Sequence, residues 1–402
     1  MKFALPLAAL LCAGALFAAD EPIQRYAAPE ALGSGDGATP ATAAAMRDRA
    51  FWKKVNAALK KAPVVVNVLP GEYIVTFDKN DPKANTAIDI IEVGSAENRL
   101  TIRGADGNRS LFKRNESDSR DTTDAKNFTN LFTLRGCRNI LIEKLFFTGA
   151  GICGYGLQIR GSQDVTVRDC HWKNMPGVSY GASGANGRNG TDKPVFSARI
   201  RWENCTFDTV GYDAHAHMLY NANDCDDMVI RRCTFTDSTG DYIRFRNGGR
   251  NILVEECAFL DTGKYERVAP FIALPLFVYS EDPAKAEHFA GAFTVRNNTF
   301  QFKKKGPRNW IFLIHISGFN PPGKEYLFSP ADAARMKKLA PADARAFFQK
   351  RTGVDLTQIV LRNNRAVGQI DTAVYECWPK YGSEKDRQPS VTSLTRLLPA
   401  AK

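Results

Sequence analysis

The chain has 402 residues, 44% of them hydrophobic and 24% charged, which excludes global disorder and a collagen-like repeat. Its 54 Lys and Arg against 43 Asp and Glu leave a formal net charge of +11, a balance that favours an anionic partner. Beyond the N-terminal leader no apolar run reaches the roughly 18 residues that a spanning helix needs, so an integral helical membrane protein is excluded, and the length fits either two compact domains or one elongated repeat domain.

Residues 1–19 form the leader. Lys2 supplies the positive end, Phe3 to Phe17 the apolar run, and Ala18-Ala19 the small residues before Asp20. This is the pattern of a secretory signal peptide. Cys12 is a poor lipoprotein site because the bulky Leu10 and Leu11 precede it. Export to the periplasm or the medium is expected, and there an acidic polysaccharide is a more accessible anion than nucleic acid.

Thr39-Pro40 is a helix-start signal, and Phe51, Val55, Ala58 and Leu59 recur at helical spacing. A capping helix is predicted over 39–61. It covers the open end of the strands C-terminal to it, since bare sheet edges invite aggregation. Val64-Val65-Val66 and the turn Leu69-Pro70-Gly71-Glu72-Tyr73 come next.

From residue 139 one pattern repeats: an apolar triplet, a turn, then an aromatic five residues after the triplet. The copies run from Ile140-Leu141-Ile142 to Phe147, Val165-Thr166-Val167 to Trp172, and Ile200-Arg201-Trp202 to Phe207. Met228-Val229-Ile230 to Phe235, Ile252-Leu253-Val254 to Phe259 and Phe293-Thr294-Val295 to Phe300 come after them, with Ile359-Val360-Leu361 to Ala366 as a degenerate last copy. The aromatic positions recur after 25, 35, 28, 24 and 41 residues. A period near 25 with insertions suits a coil of three short strands. One coil cannot bury its own apolar face, so coils stack. The pattern predicts an all-β parallel β-helix spanning 20–381. A leucine-rich repeat has a similar period but needs Leu spacing and a helix that this chain lacks.

The Gly-, Ser- and Asn-rich stretch Gly177–Gly190 predicts a loop insertion over 176–194. Ser329-Pro330, Pro341 and Gly353 mark a helical insertion over 329–353, and residues 382–402 read as a poorly ordered tail. Cys170, Cys205, Cys233 and Cys257 each lie two before the aromatic position, with Asn298 and Asn364 in the same register. Stacking puts them in one column about 4.8 Å apart, where buried thiols packing as small hydrophobes are expected rather than disulfides. No CxxC pair offers a cysteine zinc site.

The coils from Asn139 to Phe300, with the Ala62–Tyr73 segment leading into them, resemble the right-handed parallel β-helix superfamily of carbohydrate-active enzymes. That resemblance implies the architecture and a choice among lyases, polygalacturonases and uronan epimerases. Gly240-Asp241-Tyr242-Ile243-Arg244 is similar to the polygalacturonase stretch in which Gly-Asp-Asp precedes an apolar strand. Here Tyr242 replaces the second acid, and the other polygalacturonase signatures are absent. An inverting hydrolase needs two carboxyls flanking a water; Asp213 and Asp241 are the candidates.

Register also locates an exposed strand face. Tyr220 and Arg244 each lie fifteen before an aromatic, while the preceding Leu219 and Ile243 point inward. Arg246 comes next on the same face. Gln158 and Arg160, then Thr133 and Arg135, extend it one way, and His315 extends it the other. This set suits β-elimination on a uronic acid. Arg244 and Arg246 are expected to offset the substrate carboxylate, with Tyr220 as acid or base and His217 as partnering base. Arg135, Arg160, His215 and His315 are expected to bind substrate. Because Tyr220 and His217 are three apart, both reach one substrate only if the chain bends between them; a straight strand would bury His217.

Other features have blander roles. Arg168, Glu203, Arg231 and Glu255 share a register and predict a surface charge ladder. His215-Ala216-His217 is a metal pair without an evident third ligand. Asp224, Asp226 and Asp227 are calcium-type ligands in a stretch that more often forms a solvated turn. No cofactor and no metal are predicted, with calcium the one candidate. Lys303-Lys304-Lys305 is a basic run suited to steering an anionic chain or to solvation. The sequence thus points to an exported lyase acting on an anionic, uronate-containing polysaccharide. A hydrolase, a uronan epimerase and a non-catalytic glycan-binding protein are the alternatives, and no oligomeric state can be read from it.

Overall fold

The computed structural model describes residues 21–76, 86–115, 130–187, 196–266, 269–278, 287–303, 306, 308–318, 330–368, 370–378 and 390–399. The leader at 1–19 lies outside them, as do Lys304 and Lys305. Three long sheets of eleven, nine and ten strands run the length of the molecule. Each coil contributes one strand to each sheet, and every pairing between coils is parallel; only Ser390–Ser393 pairs antiparallel. Among the described residues no helix is long and apolar enough to cross a membrane.

The repeat has a direct physical counterpart. The triplets form the first sheet, with Ile140, Val165 and Ile200 in one register and Val254, Val295 and Leu361 in another. The aromatics form the second, where Phe147, Trp172, Phe207, Phe235, Phe259 and Phe300 are consecutive partners. Their rings stack with centroids 5.1, 4.6, 5.0, 4.8 and 4.7 Å apart. Tyr73 and Phe112 continue the stack toward the N-terminus at 4.6 and 5.2 Å.

A single residue in the left-handed region makes the corner between these sheets: Lys144, Asp169, Asn204, Arg232, Glu256, Asn297 and Asn363 have φ between 52° and 59°. Short polar side chains tolerate that conformation, which accounts for several of the Asn and Asp residues between strands. The cysteine column lies just after these corners. All four cysteines are buried and unbridged. Cys233 Sγ donates to the Arg231 and Trp202 carbonyls at 3.3 and 3.5 Å. Asn298 takes over where the thiols end, accepting from the Cys257 amide at 2.8 Å, and Asn364 accepts from the Asn298 amide at 3.1 Å.

Arg168, Glu203, Arg231 and Glu255 are register partners as predicted, but the ion pairs gather on two buried carboxyls, Glu143 and Glu255, rather than on an exposed ladder through Glu203. Arg103 and Arg168 both reach Glu143 at 2.5 Å, and Arg231 and Arg296 both bond Glu255. Burial raises the pKa of both carboxyls, but the paired guanidinium bonds outweigh it and hold Glu143 and Glu255 below the ordinary range.

Three boundaries differ from the sequence reading. The N-terminal helix α1 covers only Arg49–Leu59, capped by Asp48, whose side chain accepts from the Ala50 amide at 2.8 Å. Thr39-Pro40 instead opens a single 3₁₀ turn at Pro40–Thr42. The stretch expected as a loop holds a nine-residue strand of the third sheet, Val178–Asn186. Its glycines are there for packing: a Cβ on Gly181 or Gly184 would meet the Tyr155 ring at 3.0 or 3.1 Å, so small residues are required. The supposed tail supplies Ser390–Ser393, which pairs with Asp371–Trp378. The helical insertion is two helices, α2 at Pro330–Lys338 and α3 at Pro341–Thr352, the latter ended by Gly353 at φ 75°.

Candidate active site

The third sheet carries the site on its outer face. Leu219 pairs with Ile243 and Tyr220 with Arg244. The first two are buried in the core, so alternation turns Tyr220 and Arg244 outward. A regular strand would place His217 inward. The ladder is broken instead: the amides of Met218 and Leu219 both donate to the Tyr242 carbonyl, at 3.1 and 3.0 Å. Two residues oppose one, which is a β-bulge. It turns His217 to the face of Tyr220, with ring centroids 5.2 Å apart.

Hydrogen bonds assign the state of His217. A guanidinium only donates, so His217 Nε2 accepts from Arg244 Nη1 at 2.9 Å. The ring proton therefore sits on Nδ1, which donates to the Asp241 carbonyl at 3.1 Å. Arg244 Nε lies 3.6 Å from the Asp241 carboxylate. Arg246 Nη1 donates to Tyr220 Oη at 2.8 Å, and its Nε donates to Glu287. Burial disfavours the Arg246 charge, yet Tyr220 and Glu287 outweigh it and hold its pKa above the usual guanidinium value.

These groups line a cleft of about 400 Å³ with Tyr180, His215, Arg308 and His315. Arg308 pairs with Glu376, the strand neighbour of His315. Each of the three arginines here faces a carboxylate, so the cationic face expected from the sequence is largely compensated within the cleft. Tyr155 stacks between Tyr180 and Tyr220, at 6.0 and 6.2 Å. Burial, then the neighbouring Tyr220, pushes its phenol well above the ordinary value.

The sequence places Tyr220, His217, Arg244, Arg246, His215 and His315 at the site, and the cleft gathers all six. His215 stands at the rim, its side chain 82% exposed and 3.4 Å from Asp213. Arg135 and Arg160 share the sheet face but lie outside the cleft: Arg160 reaches the register of Arg246 only through Asn186 and Ala222. Sequence reasoning misses Tyr180, Glu287 and Arg308. Tyr180 lies in the stretch that reads as a loop. Glu287 and Arg308 lie outside the repeat register, which carries no signal for them.

Of the two hydrolase candidates, only Asp241 is among the residues that line the cleft. Asp213 accepts from the His215 amide at 2.7 Å and is half exposed. The candidate calcium ligands diverge: Asp226 pairs with Arg250 at 2.6 Å, Asp227 accepts from Asn251 at 2.9 Å, and Asp224 faces His288 at 3.6 Å. Among the described residues no group of three or more His, Cys, Asp or Glu side chains is placed to hold a metal ion.

Sheets and corners define a parallel β-helix, and residues 115–300 match the family model described as a right handed beta helix region. Among solved structures, an alginate lyase from Paenibacillus sp. is 14% identical with a TM-score of 0.43, covering 67% of this chain and 91% of that one. The catalytic domain of an α-1,3-glucanase is 13% identical with a TM-score of 0.39, covering 76% and 55%. An Azotobacter vinelandii mannuronan C-5 epimerase A-module is 11% identical with a TM-score of 0.30, covering 86% and 99%. No curated protein sequence matches the chain.

Proposed function

We propose that the cleft is the active site of an exported polysaccharide lyase that cuts a uronate-containing glycan by β-elimination. The observation that carries this reading is the bulge at Met218-Leu219, which sets His217 beside Tyr220 with one arginine bonded to each. Two proton-transfer groups and two guanidiniums on one face match the needs of elimination next to a carboxylate.

In this mechanism the uronate carboxylate engages Arg244, which offsets its charge and acidifies the C5 proton. The guanidinium hydrogen on His217 Nε2 turns toward the carboxylate, leaving that lone pair to take the C5 proton. The C5 electron pair becomes the C4–C5 double bond as the C4–O4 bond breaks. Arg246 already donates to Tyr220 Oη, so the phenol's own hydrogen points elsewhere and is available to O4. The Arg246 charge offsets the one that develops on Oη as that proton leaves. Asp241 holds the imidazole in the tautomer with Nε2 unprotonated.

C5 epimerisation shares the first proton transfer and differs in returning a proton to C5. Incubating the protein with a panel of uronans and monitoring the ultraviolet absorbance of unsaturated uronate separates the two. Absorbance that rises with enzyme and vanishes in Tyr220→Phe supports the lyase. An unchanged spectrum across the panel removes it.

A further inference from the structure

The outer face of the third sheet continues beyond the cleft to a second cationic place. Arg135 and Arg160 are direct partners on adjacent strands. Like charges facing each other across a ladder are destabilising. One carboxylate stands against them: Asp89 lies 3.4 Å from Arg135 and 3.9 Å from Arg49 of α1. Arg160 has no ion pair among the described residues, and its Nε is buried without a hydrogen-bond partner there. Burial, then the Arg135 charge, lowers the Arg160 pKa. Arg135 and Arg49 thus share one acid and Arg160 has none of its own among the described residues, unlike the cleft, where each arginine has a carboxylate.

We infer that Arg135 and Arg160 form a distal subsite for a second carboxylate of the same polymer chain. The inference rests on the uronan reading above. A carboxylate seated between two guanidiniums relieves their repulsion and accepts from both. Arg160 stands three strands from Arg246 along one register, roughly 14 Å at the ordinary strand spacing. That span asks for an oligosaccharide of several residues lying along the sheet face. The protein would accordingly bind polymer better than short fragments.

Affinity electrophoresis tests this without turnover, by running the full chain through gels containing alginate, polygalacturonate or neutral dextran. The wild type should be retarded by at least one polyuronate and not by dextran. Arg135→Gln/Arg160→Gln removes both charge-assisted contacts and should weaken that retardation by at least the roughly tenfold that one such contact is worth. Asp89→Asn should strengthen it, which keeps the idea testable if the double variant folds poorly. A short uronate fragment should compete far less well than a long one.

Wild-type retardation in both variants overturns the subsite, as does the absence of retardation by either polyuronate. If both variants behave as wild type while Tyr220→Phe still abolishes elimination, the subsite fails and the lyase stands. If retardation depends on Arg160 while no unsaturated product forms, the subsite stands and the lyase fails.

Discussion

His217 and Tyr220 are three residues apart on one strand, yet both face the same cleft, because the amides of Met218 and Leu219 share the Tyr242 carbonyl. The bulge makes them a pair. Bulges beside functional sites commonly re-aim a side chain in this way.

Tyr220→Phe keeps the ring and its stacking on Tyr155 while deleting the hydroxyl. If Tyr220 protonates the leaving oxygen, the variant should lose about a hundredfold or more in rate. His217→Ala should lose a comparable factor. Near-normal rates in both variants would move the search along the cleft to His315.

Arg244→Ala should abolish turnover with the β-helix intact. The side chain faces the cleft rather than the core, so its loss opens no core cavity. It does leave the Asp241 carboxylate and His217 Nε2 without this donor, so a modest fall in melting temperature is expected. If Arg244 neutralises the substrate carboxylate, the barrier should rise by about 3 kcal/mol or more. Arg244→Lys should recover only part of this, because a point charge cannot replace the planar fork. Unchanged kinetics in Arg244→Ala would remove it from the mechanism.

The cysteine column should be inert in the native protein. Burial, and then its neighbours Cys205 and Cys257, push the Cys233 thiol well above its ordinary pKa, and the reactive thiolate is scarce there. Thiol titration should find this column only after denaturation. Cys233→Asp should destabilise by at least about 3 kcal/mol, since a charge enters the coil interior. Disulfides among the four, detected by mass, would contradict the stacking.

The ladder predicts an acid-sensitive component of stability. Glu143 and Glu255 have folded pKa values below those of the unfolded chain. Their contribution is therefore complete above the ordinary glutamate value of about 4.3. It is lost as pH falls through the lower folded values. Melting temperature measured from neutral pH downward should fall more steeply in the wild type than in Glu143→Gln/Glu255→Gln. Parallel curves would show that the ladder contributes nothing to the acid response.

Phe235 sits in the middle of the aromatic stack, 5.0 Å from Phe207 and 4.8 Å from Phe259. Phe235→Ala should cost about 3–5 kcal/mol, because stacked coils cannot close over the void. A denaturant midpoint close to wild type would mean that the coils can close over it.

The sequence by itself determined whatever depends on the coil period. Tyr220 beside Arg244, Leu219 beside Ile243, the cysteine column and the Arg–Glu partners were legible because parallel stacking repeats one register, so spacing along the chain becomes neighbourhood across coils. The tertiary structure alone decided what breaks or lies outside that period. The bulge at Met218-Leu219 depends on which carbonyl two amides reach, and no residue type announces it. Val178–Asn186 reads as a loop because its glycines satisfy packing against Tyr155 rather than flexibility. Glu287 meets Arg246 across a separation of 41 residues, and Arg308 meets Glu376 across 68. Glu287 and Arg308 lie in connections between strands, whose lengths vary freely, so their positions are set by the folded surface they land on.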